Sequence, residues 1–216
     1  MIDLHTHSIF SDGELIPSEL VRRAEVIGYK AIAITDHADP SNLDFIVPRI
    51  VNVCNDLSSK WNIKAIAGIE ITHVPPLLIS GLEKRARSLG AKIVVVHGET
   101  SVEPVPSGTN REALLSDIDI LAHPGLITEE EVETAKTRDI FLEITARAGH
   151  CLTNGHVAKL ATRIGANLII NTDAHSPNDL ITLEKAKTIG IGAGLSEEEF
   201  KKTQKNSFRI LEKIGW

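Results

Sequence analysis

Aromatic side chains are scarce in this chain, making up 4% of its 216 residues. Its core is therefore aliphatic, drawn from Ile, Leu, Val and Ala. Cysteine is scarcer. Cys54 and Cys151 have no metal-binding spacing and form no disulfide framework, so they read as small semi-buried hydrophobes of a reduced, cytoplasmic protein. No apolar run approaches the ~20 residues of a membrane span. No charged start with an apolar stretch behind it marks a secretory leader. No Gly/Ser linker or block of like charge divides the sequence, and residues 1–216 read as one domain. A net charge of −6 leaves no basic surplus for tracking a nucleic-acid strand. A small phosphorylated substrate remains compatible, because bound cations invert the local field.

What the chain does have is a repeated rhythm of apolar runs and helical stretches. Seven runs stand out: Ile2–His7, Ala31–Thr35, Ile63–Ile71, Lys92–Val96, Ile118–Ala122, Ile140–Thr145 and Asn167–Thr172. Between them lie stretches with helical spacing, from Pro17 to Tyr29, Asn42 to Lys60 with a break or restart at Pro48, and Leu77 to Leu89. Further helices are expected over Arg111 to Leu115, Thr128 to Lys136, Asn154 or Gly155 to Ile164, Asp179 to Ile189 and Ser196 to Lys213. Thr128 with Glu131, and Ser196 with Glu199, read as capping boxes. The segment from Gly98 to Asn110, with Pro104, Pro106 and Gly108, reads as a loop, either a lid or a plain connection.

Such alternation implies a parallel sheet covered on both faces. Six of the seven runs end in His, Asp or Glu. An open sheet gathers ligands at one switch point, whereas a closed barrel brings every strand end to one mouth. The expected fold is therefore an α/β, seven-stranded barrel.

The polar residues at those ends are His5, His7, Asp12, His37, Glu70, His97, His123, Asp173 and His175. In an extended strand, side chains two apart share a side, so His5 and His7 project together. So many imidazoles and carboxylates in one cavity would be costly to bury without cations among them. A thiolate-free set suits Zn, Mn or Fe(II), and more than one ion is expected. Clustered divalent ions point to hydrolysis at phosphorus.

Taken in order, His5-Thr-His7, Ser11-Asp-Gly13, Thr35-Asp-His37, Gly68-Ile-Glu70, the run ending at His97, Ala122-His-Pro124 and Thr172-Asp-Ala-His175 resemble the polymerase and histidinol phosphatase (PHP) superfamily. The resemblance covers residues 1 to about 177 and implies a distorted (β/α)7 TIM-like barrel with a two- or three-metal site. It implies one ion on His5, His7, Glu70 and Asp173, and a second on Glu70, His97 and His123. A third ion would sit on His37 and His175, with Asp12 where some members have histidine. Asp36 would orient its neighbours. The implied chemistry is phosphomonoester hydrolysis through a metal-bridging hydroxide, with Glu70, Asp173 and His175 as catalytic residues.

Arg147 is the best-placed cation for a phosphoryl group, and Glu143 is expected to face inward near the mouth. His150 is a candidate substrate contact and His156 a weaker one. His73, three residues beyond Glu70, reads as a loop histidine. Related barrels accompany DNA polymerases, which makes a 3'-5' exonuclease the alternative reading. A non-catalytic binding protein, like the related RNase P subunit, would be expected to have lost the ligands retained here.

Overall fold

The structure is a computed structural model that describes residues 1–215. Its strands are β1 (Ile2–Asp3), β2 (Ala31–Ile34), β3 (His37–Ala38), β4 (Lys64–Ile71), β5 (Ile93–His97), β6 (Ile120–Ala122), β7 (Phe141–Thr145) and β8 (Leu168–Asn171). The helices are α1 (Pro17–Val26), α2 (Leu43–Ser58), α3 (Ile79–Ser88), α4 (Thr109–Leu115), α5 (Glu129–Thr137), α6 (Asn154–Ile164), α7 (Leu183–Gly192) and α8 (Glu197–Lys213).

All ladders are parallel, in the order β1-β2-β4-β5-β6-β7-β8, and β3 carries on the line of β2 by pairing with β4. Eight strand segments thus make the seven staves expected of a distorted (β/α)7 barrel. The ring meets itself where Thr6 bridges Ala174. There the His7 N–H donates to the Ala174 carbonyl (2.9 Å) and the Asp173 N–H to that of His5 (3.0 Å). Lower in this seam, side chains take over from the ladder. Asn171 Oδ1 accepts from the Leu4 N–H (2.9 Å), and the buried Asp3 carboxylate accepts from Thr172 N–H (3.2 Å) and Oγ1–H (2.5 Å).

An inner core of Ile2, Leu4, Ala31, Ala33, Ile66, Ile93, Val95, Ile120, Phe141 and Ile169 fills the barrel. Ile210 and Leu211 of α8 join it and plug the end opposite the strand C-termini. A larger aliphatic cluster lies between sheet and helices, so both faces of the sheet are covered. Both expected capping boxes are present, Thr128 with Glu131 opening α5 and Ser196 with Glu199 opening α8.

Three element boundaries depart from expectation. The first run is regular only to Asp3. Ile2 and Leu4 both enter the inner core while His5 and His7 both face the mouth, and strict two-residue alternation forbids that combination. The strand slips phase between Leu4 and His5. The second helix runs unbroken through Pro48: Ile46, Val47, Ile50 and Cys54 form one buried face, whose burial offsets the lost hydrogen bond. The stretch from Asp179 to Thr182 lies outside α7. Ser176 and Asp179 close a single 3-10 turn, and Thr182 caps the helix proper.

Candidate metal centre

The C-terminal ends of the strands deliver their polar payload to one mouth. His5 Nε2 lies 3.3 Å from Glu70 Oε1 and 3.7 Å from Asp173 Oδ1. His7 Nε2 lies 3.1 Å from Asp173 Oδ1 and 3.8 Å from Glu70 Oε2. His37 Nδ1 is 2.5 Å from the other side of Glu70, at Oε2. Its Nε2 stands 3.4 Å from both Asp12 Oδ1 and His175 Nε2. His123 Nε2 is 3.8 Å from Glu70 Oε1 and 3.5 Å from Asp173 Oδ2. The ring of His97 packs edge-on to that of His123, with centroids 4.5 Å apart. All nine residues of the expected set are in one cluster, and all but Asp12, His37 and His175 are buried.

The backbone is bent to achieve this. His123 has φ 26° and Asp173 φ 54°, left-handed values that cost a non-glycine residue of order 1–3 kcal/mol. Packing and hydrogen bonds hold both in place. The His123 N–H donates to Glu143 Oε2 (3.2 Å), and the Asp173 N–H is tied into the barrel seam. Asp36 fixes the first loop by accepting from the Ser8 N–H (2.6 Å), Ser8 Oγ–H (2.7 Å) and Ser11 Oγ–H (2.8 Å). Gly13 completes that loop, since a Cβ there would fall 2.4 Å from the His7 carbonyl oxygen.

The hydrogen bonds also decide which imidazole nitrogens are free. His5 Nδ1 donates to Glu143 Oε1 (2.9 Å), His97 Nδ1 to the Gly98 carbonyl (3.1 Å) and His175 Nδ1 to the Asp173 carbonyl (2.9 Å). A carbonyl or carboxylate only accepts, so each of these nitrogens carries its proton. In the neutral ring the Nε2 lone pair then faces a carboxylate: Glu70 for His5, Glu103 for His97 (3.1 Å) and Asp12 for His175 (3.1 Å). Acceptor set against acceptor is relieved by a cation between them. The orphaned buried atoms tell the same story: His5 Nε2, both His7 nitrogens, Glu70 Oε1, His123 Nδ1 and Asp173 Oδ1 have no hydrogen-bond partner. These donors fit divalent cations.

Electrostatics sharpens the point. Burial opposes ionisation of Glu70, but positive charge beside it, carried by protonated His5 and His37 where no cation takes the place of their protons, holds its carboxyl well below the usual range. Burial, reinforced by His37 and His5, holds the His7 imidazole far below the ordinary histidine value. Burial with neighbouring His97 does the same to His123. Asp173 is pushed up to about 7, chiefly by burial.

Arg147 lies on the rim, its Nε 3.8 Å from Asp173 Oδ2 and its side chain 31% exposed. Glu143 is fully buried below the mouth, as its expected inward orientation requires. His150 is buried, with Nδ1 at 2.8 Å from Thr100 Oγ1 and Nε2 at 3.4 Å from Glu103 Oε1. His156 points away, its Nε2 donating to the Ile127 carbonyl (2.7 Å), so it pins two elements together. His73, more than a third exposed, lies 3.0 Å from Glu103. Sequence reasoning missed Glu103. It sits in an irregular proline-rich loop with no periodic signal, and the only hint was a carboxylate soon after a strand-end histidine.

Fold and site together define a parallel barrel whose mouth gathers groups of residues that could hold metal ions. The PHP domain model matches residues 3–187, and the chain belongs to that family. It is 54% identical over 203 residues to an uncharacterized protein of Methanocaldococcus jannaschii, covering 93% of each chain. It is 25% identical over 199 residues to a probable phosphatase of Clostridium novyi, covering 81% of this chain and 79% of the relative. Among solved structures, a chain of archaeal ribonuclease P with mature tRNA shares the fold with TM-score 0.76 at 17% identity, covering 98% of this chain and 90% of that one.

Proposed function

We propose that this protein is a metal-dependent phosphoesterase that hydrolyses a small phosphomonoester, of the histidinol phosphate or nucleotide type. Its cofactors are two or three divalent ions of the zinc, manganese or iron kind. The observation that carries this reading is the set of imidazole lone pairs aimed at carboxylates around one buried mouth. Membership of the PHP family and the likeness to a probable phosphatase support it. When bound, such ions polarise a phosphoryl oxygen and acidify the water that attacks phosphorus.

The chain's own residues provide the rest. Glu70 presents one oxygen to His5 and His123 and the other to His7 and His37, so it spans the halves of the cluster. Arg147 meets the incoming phosphoryl group at the rim, where its planar guanidinium suits two oxygens at once. As water's oxygen bonds to phosphorus and the ester P–O bond breaks, the leaving oxygen needs a proton. Asp173, whose Oδ2 faces Arg147, stands beside the place where that proton is delivered. His175, at the more open edge, relays protons to solvent. No helix among the described residues is long and apolar enough to cross a membrane. With two free cysteines, we place the protein in the cytoplasm.

The test is metal-reconstituted protein assayed with p-nitrophenyl phosphate, then with histidinol phosphate, nucleoside monophosphates and short single-stranded DNA and RNA. Turnover of the monoesters is expected. Turnover confined to the oligonucleotides would replace this reading with the nuclease one. His7→Ala and Glu70→Ala are each expected to abolish turnover and lower bound metal with circular dichroism unchanged. Full activity in either variant would remove the metal assignment.

A further inference from the structure

The family resemblance puts a second ion on Glu70, His97 and His123. The geometry adds a further imidazole to the two histidines. One ligand nitrogen each from His97, His123 and His150 lies within 4.8 Å of the others, and His150 belongs to no part of the resemblance. The His123 and His150 rings are 4.3 Å apart, and those of His97 and His150 are 5.9 Å apart. All three residues are buried.

Each ring is already committed in a way that leaves a nitrogen for this centre. His97 Nδ1 is tied to the Gly98 carbonyl, which leaves Nε2. His150 Nδ1 is tied to Thr100 Oγ1, which again leaves Nε2. His123 Nδ1 is buried without any hydrogen-bond partner. A carboxylate reaches two of the three rings: Glu103 Oε2 is 3.1 Å from His97 Nε2, and its Oε1 is 3.4 Å from His150 Nε2. The loop following β5 thus touches His150 from both ends, through Thr100 on one nitrogen and Glu103 on the other. His73 Nε2, 3.0 Å from Glu103 Oε2, steadies the carboxylate from the solvent side.

We propose that His97, His123, His150 and Glu103 form one divalent-cation site, with His150 a ligand rather than a substrate contact and Glu103 a ligand carried on a loop. Three imidazoles and a carboxylate make a four-donor set of the type zinc accepts, with iron(II) and manganese as competitors. Nitrogens bound tetrahedrally at ~2.1 Å lie ~3.4 Å apart, so the three rings, whose ligand nitrogens are within 4.8 Å of one another, draw together on loading. Because Glu103 is 39% exposed and its loop lacks regular structure, this ligand is the one free to leave. A phosphoryl oxygen arriving at the mouth is an anion of similar reach and takes its place. The loop then couples substrate entry to the coordination of one ion, and the other ions keep their ligands.

This inference rests on the reading of the mouth as a cation site, and the experiment separates the two. Metal-depleted protein is titrated with cobalt(II), following visible absorption, with bound metal counted by plasma mass spectrometry. His150→Ala and His97→Ala are each expected to lose the same equivalent of cobalt and the same absorption band, and the double variant no more than that. His37→Ala should lose a different equivalent. Glu103→Gln, on an exposed loop where folding is not at stake, should retain the ion about tenfold more weakly and with a shifted band. Adding inorganic phosphate should shift the wild-type band and leave that of Glu103→Gln nearly unmoved. If His150→Ala keeps the full cobalt count and spectrum, the site is wrong while the metal centre stands. If wild-type protein binds no cobalt, both readings fall.

Discussion

Glu143 Oε1 accepts the Nδ1 proton of His5 at 2.9 Å, in full burial, and its Oε2 accepts the His123 N–H at 3.2 Å. One carboxylate therefore sets the tautomer of one proposed ligand and the strained backbone of another. Asn171 Nδ2 donates to the same Oε1 at 2.9 Å and keeps the carboxylate from turning.

Such a partner raises the basicity of a ligating imidazole, and losing it typically costs 10- to 100-fold in metal affinity. Glu143→Gln keeps the shape and removes the charge. It is expected to weaken metal binding by about that factor in a competition titration against a chromogenic chelator, with circular dichroism unchanged. Wild-type affinity in this variant would mean that His5 needs no orienting carboxylate.

Arg147 contributes reach to the substrate rather than to the cluster. Its Nη1 lies 3.4 Å from the Asp173 carbonyl and 3.9 Å from Asp179 Oδ2, contacts loose enough to surrender to a phosphoryl group. Arg147→Ala should raise KM for p-nitrophenyl phosphate about tenfold, the scale of a charge-assisted hydrogen bond of ~1.5 kcal/mol, with a smaller change in kcat. Arg147→Lys should recover only part of it, because a point charge cannot make the paired contact. An unchanged KM would take Arg147 out of the pocket.

Asp3 is fully buried in the barrel seam, and burial pushes its carboxyl up to about 6 despite bonds from Thr172. An acid whose folded pKa exceeds its unfolded value binds more protons folded than unfolded between the two. Stability is then complete below the unfolded value and falls as pH rises through about 6. A shift from 3.8 to about 6 bounds that loss at about 3 kcal/mol. Asp3→Asn keeps an acceptor for the Thr172 N–H and a donor for its hydroxyl. Between pH 4 and pH 7, urea unfolding should show a smaller decline for the variant than for wild type. Equal declines would mean that Asp3 is ionised at no cost.

The two cysteines should separate chemically. Cys54, 2% exposed on the inner face of α2, has its thiol pushed up to about 12 by burial and then by Asp36. Cys151 is only partly buried. A thiol reagent at neutral pH should modify Cys151 in the native protein, and Cys54 only after unfolding, because the thiolate is the reactive form. Rapid native modification of both would contradict the packing of α2.

Much of the barrel was legible because its signals are local. Apolar runs of β-branched residues, Pro17 at a helix start and the two Ser/Thr-x-x-Glu boxes are each set within a few neighbouring residues. What went astray was decided by partners far along the chain. The first strand loses its phase because Asn171 and Thr172 claim the groups beside Asp3 and Leu4. Pro48 stays inside a helix because the buried side of α2 outweighs one absent bond.

The candidate site divides in the same way. Nine strand-end imidazoles and carboxylates could be listed from the sequence, since a closed parallel ring sends every strand terminus to the same side. Glu103 could not, because nothing in an irregular loop records where its tip comes to rest. Nor could the place of His150 beside His97 and His123. By itself the sequence determined the barrel, its polarity and the donor chemistry of its mouth, through periodicity and residue type that depend on near neighbours. Which nitrogen of each imidazole stays free, and which donors share a centre, only the tertiary structure decided, because those follow from hydrogen bonds between residues as much as 138 positions apart.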